Sequence, residues 1–180
     1  MSNHVRIAIS GKSGCGNSTV SQMVAEKLGV RLINYTFRTV AEEKGIAFEE
    51  LRHLAEKDPS WDRYVDTRQV ELAREGDCVL GSRLAVWLLD DADLKVYLTA
   101  SERVRAERIV RREGGNLDDV IAETRERDKR DRERYMRLYG IDNDAFAFVD
   151  IVIDTEDRGP EAIADLIVDA IEKKKTPIDS

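Results

Sequence analysis

The sequence predicts an α/β domain, an open parallel sheet of five short strands wrapped on both faces by helices. Three observations carry this. Short apolar runs alternate with helical periodicities along the whole chain of 180 residues. The first run, Val5 to Ser10, is apolar on both faces, as a strand covered on both sides must be. That run leads directly into Gly11-Lys12-Ser13-Gly14-Cys15-Gly16-Asn17-Ser18-Thr19, a glycine-rich turn that opens a helix.

The elements follow in order. The first helix places Val20, Val24 and Leu28 on one side, and Gly29 stops it. Val30 to Asn34 reads as a short second strand. From Thr36 to Gly76 the pattern is helical in three pieces, broken at Gly45 and at Asp58-Pro59-Ser60, with Ser60 as the N-cap of the third. This stretch has no strand pattern, so it reads as a helical insertion. Asp77 to Leu80 resumes the sheet, Leu84 to Leu89 is a short helix or turn, and Leu94 to Leu98 is the fourth strand. Ser101 caps a helix running to Glu113. Gly114-Gly115-Asn116 is a flexible break before a long charged helix, Leu117 to Tyr139, which ends at Gly140. Phe148 to Asp154 is the fifth strand. Pro160 opens a last helix with Ile163, Leu166, Ile167, Ala170 and Ile171 in one apolar stripe, and Thr176 to Ser180 is a frayed tail.

Composition narrows the function. The net charge of −7 argues against a nucleic-acid polymer as partner, and no apolar run has membrane-spanning length. Cys15 and Cys78 are too few for a disulfide framework and read as reduced thiols of a cytoplasmic protein. His4 and His53 are isolated, which speaks against a metal or catalytic role. Trp61, Tyr64 and Trp87 read as core packing.

The glycine-rich turn carries the chemistry. The pattern Gly, any four, Gly, Lys, Ser or Thr cradles phosphate on backbone N–H groups at the positive end of a helix. Gly11, Gly16 and Ser18 fit it, but Asn17 stands at the lysine position, and Lys12 lies early in the loop. A bare structural turn is the alternative. Ligands of such sheets sit at the carboxyl ends of strands. Arg83, directly after the third strand, and Arg38, at the entrance to the insertion, are therefore candidate phosphate contacts. From Arg103 to Arg137 the chain is rich in arginine interleaved with acids, and most of these form solvated salt bridges. Arg108 and Arg112 share one face just before the glycine break, as a lid closing over phosphate would require. Arg127, Asp131 and Arg134 also share a face, two guanidinium groups flanking a carboxylate.

These residues together resemble the cytidylate kinases, especially the short archaeal type, over nearly the whole chain. The matching pieces include ISGKSGCGNST, FRTVAEEKG, LAEKDPSWDRYVDTRQVELA, SRLAVWL, VRAERIVRREG, ERDKRDRERY and YGID. The resemblance implies a single P-loop NTPase-type kinase domain, with a core at about 1–33, 76–110 and 140–175, a monophosphate-binding insertion at about 34–75 and a lid at about 111–125. It implies ATP and Mg2+ as cofactors, with the loop from Gly11 to Thr19 on ATP and Ser18 on the metal. It implies CMP or dCMP as acceptor, held by Arg83, Arg127, Asp131 and Arg134, with Arg38 added by its position at the entrance to the insertion. Arg108, Arg111 and Arg112 would stabilise the transferring phosphoryl group. The expected state is a cytoplasmic monomer.

The chain departs from the family pattern in three places: Asn17 for the loop lysine, Gly81-Ser82-Arg83 where an acid, glycine and arginine are usual, and INYTFR near residue 34. A nucleotide-binding protein without turnover, or a kinase for another small acceptor, are the alternatives these departures raise.

Overall fold

The computed structural model describes residues 5–175; His4 and the tail from Thr176 to Ser180 lie outside the described residues. The strands are β1 (Arg6–Gly11), β2 (Arg31–Ile33), β3 (Cys78–Gly81), β4 (Leu94–Thr99) and β5 (Ile151–Asp154). They form one parallel sheet in the order β2-β3-β1-β4-β5. The helices are α1 (Asn17–Leu28), α2 (Phe37–Lys44), α3 (Phe48–Lys57), α4 (Ser60–Arg74), α5 (Ala85–Leu88), α6 (Glu102–Glu113), α7 (Leu117–Tyr139) and α8 (Pro160–Lys175).

The strand period of two sorts the core. Ile7 and Ile9 face α1 and α8, packing with Val20, Val24, Ile163 and Ile167. Ala8 faces the other way, with Leu80, Ala85, Val86 and Tyr97. The Tyr97 ring stacks on Phe146, with centroids 4.0 Å apart. The three helices between β2 and β3 bury their own small cluster, Tyr35, Val40, Ala41, Leu51 and Val65. Trp61 and Trp87 pack on the cores as expected.

Glycine punctuation acts as the sequence indicates. Gly29, Gly45 and Gly140 end helices in the left-handed conformation, at φ 64°, 65° and 66°. Asn116 caps α7, its side chain accepting from the N–H groups of Asp118 and Asp119.

Four expectations are corrected. The fifth strand begins at Ile151, because 144–150 is taken up by turns, with the Asp150 carboxylate accepting Lys95 N–H at 2.7 Å. Val30 and Asn34 fall outside β2, and the Val30 N–H instead closes the end of α1 on Ala25 O. Ser60 is inside α4 rather than its cap; Asp58 Oδ1 accepts its N–H at 2.9 Å. Tyr64 is exposed, with Lys44 over its ring, and is not core. Both cysteines are buried and free, and burial pushes the Cys78 thiol up to about 11. Among the described residues no helix is long and apolar enough to cross a membrane.

Because the sheet is parallel, all carboxyl ends lie along one edge. That edge carries the glycine-rich loop after β1, Arg83 after β3, Ser101 after β4 and Thr155 after β5.

Candidate functional site

The loop between β1 and α1 turns tightly because Gly14 and Gly16 adopt φ +84° and +87°, where a Cβ is disfavoured. The first-turn amides of α1, from Asn17 on, have no intrahelical acceptor and carry the helix's positive end. Ser18 and Thr19 are exposed there. Behind the loop, its carbonyls are tied down. Arg105 Nη1 donates to Ser13 O at 3.3 Å, and Arg108 Nη1 donates to Gly14 O at 3.1 Å. The Thr155 hydroxyl lies between two acceptors, Thr99 O at 3.1 Å and Cys15 O at 3.3 Å. Cys15 is buried under the loop, and burial raises its thiol pKa. Lys12 Nζ pairs with Asp144 at 2.6 Å.

Asn17 does not reach outward as a loop lysine would. Its Nδ2 donates to Ile9 O at 3.1 Å, and its Oδ1 accepts the Ser21 hydroxyl at 2.9 Å. A Cβ on Gly81 would overlap Ser21 Oγ and stand 2.7 Å from Ser21 Cβ and 3.0 Å from Asn17 Oδ1. Two departures from the family pattern, at 17 and 81, are thus one contact: the Asn17–Ser21 pair fills the room that a side chain at 81 needs. Gly81→Ala is expected to destabilise the fold by about 2 kcal/mol through overpacking. Chemical denaturation of the variant checks this, and adding Ser21→Ala should recover part of the loss.

Next to the loop lies a cleft of about 1080 Å³, lined among others by Phe37, Phe48, Asp62, Arg83, Arg127, Asp131 and Arg134. Its volume suits a nucleotide-sized ligand. Arg83 Nη1 pairs with Asp131 Oδ2 at 2.6 Å. Arg134 stands 3.5 Å from both Asp131 Oδ1 and Asp62 Oδ1, with its guanidinium over the Tyr135 ring. Arg38 stacks on Phe48, 4.4 Å from the centroid, at the cleft's side. Arg127 lines the cleft and also donates from Nη1 to Ser13 Oγ at 3.1 Å, so cleft and loop meet at this residue.

Of the residues singled out from the sequence, Arg83, Arg127, Asp131 and Arg134 come together. Arg108 instead lies behind the loop, its Nη1 also on Thr155 Oγ1 at 2.9 Å and its Nη2 on Thr155 O. Arg111 and Arg112 are exposed at the end of α6, and Arg112 pairs with Glu113.

Sequence reasoning missed Asp62, Arg105, Asp128, Ser21 and Thr155. Thr155 had a usable signal, since it follows β5 as Arg83 follows β3. Asp62 had none in its spacing. Burial raises its carboxyl pKa against the pull of Arg134.

The profile of the cytidylate kinase-like family matches residues 6–157. The chain belongs to this family. Cytidylate kinase 2 of Borreliella burgdorferi is 47% identical over 174 residues, covering 94% of this chain and 97% of the relative. The cytidylate kinase of the archaeon Archaeoglobus fulgidus is 40% identical over 178 residues, covering 97% and 99%. Among solved structures, the kinase resembles in fold a shikimate kinase from Acinetobacter baumannii in complex with shikimate. That match has a TM-score of 0.64 at 16% identity, covering 96% of each chain. It also resembles a deoxyadenosine kinase from M. mycoides with bound dATP, at TM-score 0.56 and 17% identity, covering 92% and 98%. The fold is that of P-loop kinases, and the chain is a phosphotransferase.

Proposed function

We propose that this kinase transfers the γ-phosphoryl group of ATP to CMP or dCMP. The observation that carries the reading is the contact of Arg127 with Ser13, which joins a phosphate-cradling loop to a cleft lined by guanidinium groups. Relatives that align over nearly the whole chain are named cytidylate kinases, which supports the choice of acceptor.

In this reading the loop amides and the start of α1 hold the ATP phosphates from Gly11 to Thr19. Arg83, Arg127 and Arg134 hold the acceptor phosphate, and Asp131 orients both Arg83 and Arg134 while accepting from the ribose. The helices at about 34–75 form the acceptor wall, with Arg38 at its edge. The segment at about 111–125 is the lid, hinged at Gly114 and Gly115, whose φ values are +83° and +106°. Arg111 and Arg112 ride on it toward the transferring group, while Arg108 acts from behind the loop. Alignment, charge neutralisation and exclusion of water supply the rate.

Magnesium suits this donor set. Among the described residues no cluster of three or more His, Cys, Asp or Glu can hold a metal. In P-loop enzymes a loop Ser or Thr hydroxyl is one of the Mg2+ ligands beside phosphates and water, and Ser18 offers an exposed hydroxyl at that place. When bound, the ion neutralises charge on the β- and γ-phosphates.

A coupled ADP-release assay with magnesium ATP across CMP, dCMP, UMP and AMP tests the proposal. The highest kcat/KM is expected for CMP and dCMP; silence on every acceptor overturns it. The inward turn of Asn17 favours a second reading, nucleotide binding without turnover. Measurable phosphoryl transfer excludes that reading.

A further inference from the structure

The donor loop is held from outside itself, and the hold begins on the helix that carries the acceptor-facing side chains. Arg105 is buried, with 5% of its side chain exposed, and it forks onto Asp128 of α7 at 3.1 and 2.6 Å. Its Nη1 also reaches Ser13 O. The Arg105 backbone presses on the loop as well: a Cβ on Gly14 would stand 2.8 Å from Arg105 O. Asp128 sits on α7 between Arg127 and Asp131, two residues of the cleft.

We propose that the Arg105–Asp128 pair is a positioning device for the donor loop, set from the acceptor helix; this rests on reading the loop as the ATP phosphate site. The physics is that of the planar trans peptide. The carbonyl of one residue and the N–H of the next point in opposite directions. Holding Ser13 O back on Arg105 therefore turns the Gly14 N–H forward, to the face where an anion binds. Asp128 matters because a guanidinium forked on a carboxylate is held in one plane. A buried pair of this kind adds little net stability compared with apolar packing. Here the Arg105 Nε is buried without a partner, so the site is not optimised for stability alone.

Asp128→Asn separates positioning from bulk electrostatics by sign. Removing an acid near an anion site, and leaving Arg105 unneutralised, tightens nucleotide binding if charge alone governs. Positioning requires the opposite. The test is calorimetry of the full chain with ADP and magnesium chloride, and separately with CMP, together with melting temperatures. Asp128→Asn is expected to weaken ADP about tenfold while CMP stays within about twofold. Arg105→Lys, which keeps the charge and loses the fork, should do the same. The double variant Arg105→Met with Asp128→Leu should melt within a few degrees of wild type yet still bind ADP about tenfold more weakly. Unchanged or tighter ADP binding in Asp128→Asn overturns the proposal. So does equal loss of both nucleotides, or recovery of ADP affinity together with stability in the double variant. A wild-type chain that binds ADP but transfers nothing removes the kinase reading and leaves this test intact.

Discussion

Arg134→Ala is expected to raise the acceptor KM by about 30- to 100-fold and to leave the KM for ATP within about threefold. The selectivity follows from position on α7. Arg127, which touches the loop at Ser13, lies seven residues earlier, roughly 10 Å along the helix at 1.5 Å per residue. Arg134 is thus out of reach of the donor phosphates on that helix. The size of the effect follows from its neighbours. Its guanidinium stands between the Asp62 and Asp131 carboxylates and over Tyr135, with Nε buried and unpartnered. Removing it deletes a charged hydrogen-bond donor and also leaves the Asp62 carboxylate without its cation beside an incoming monophosphate dianion, while Asp131 keeps Arg83. Both changes act in the same direction. Steady-state kinetics with each substrate varied in turn checks this, and equal changes in the two KM values would contradict the assignment of the cleft to the acceptor.

The fold was legible where local chemistry decides it. Gly29, Gly45 and Gly140 each end a helix because a left-handed residue must follow it, and that requirement is written in single residues. The doubly apolar run from Val5 made a covered parallel strand, and the loop after it followed from spacing alone. The beginning of β5 was harder, because Phe148 and Val149 look like strand residues. Phe148 instead packs edge-on against Trp87, with centroids 5.7 Å apart, and Asp150 ties the turn to Lys95.

In the candidate site, Arg127, Asp131 and Arg134 were legible because a helix puts residues three and four apart on one face. The pairing of Arg105 with Asp128 was not. Arg105 looks like any other arginine in a solvated run, and its partner is 23 positions away. The same holds for Asn17 and Gly81. Each reads in the sequence as a separate loss, and only their contact through Ser21 shows that one accommodates the other. Non-local partner choice is what a one-dimensional pattern carries least well.

The loop itself provides the second large effect. Gly14→Ala is expected to lower unfolding stability by about 3 kcal/mol, from about 1 kcal/mol of left-handed strain and about 2 kcal/mol of overlap. The overlap is with backbone: a Cβ at 14 would stand 2.8 Å from Arg105 O and 3.0 Å from Arg105 Cα, and α6 has no flexible side-chain end to withdraw. For a chain of this size the melting temperature should fall by roughly 6–12 °C. ATP affinity should fall further than stability implies, about 100-fold, because relief of the clash pushes the loop away from Arg105 and so releases the Ser13 carbonyl that orients the Gly14 amide. Gly16→Ala is the internal control. Gly16 has the same positive φ, but a methyl group there would meet nothing within 4 Å, so strain alone applies, about 1 kcal/mol and roughly 2–4 °C. Differential scanning calorimetry of the two variants separates the contributions to stability, and ATP titration of Gly14→Ala reads the loss of affinity. Equal falls in melting temperature in both would mean that φ strain governs the loop and that the press of α6 against Gly14 does not shape it.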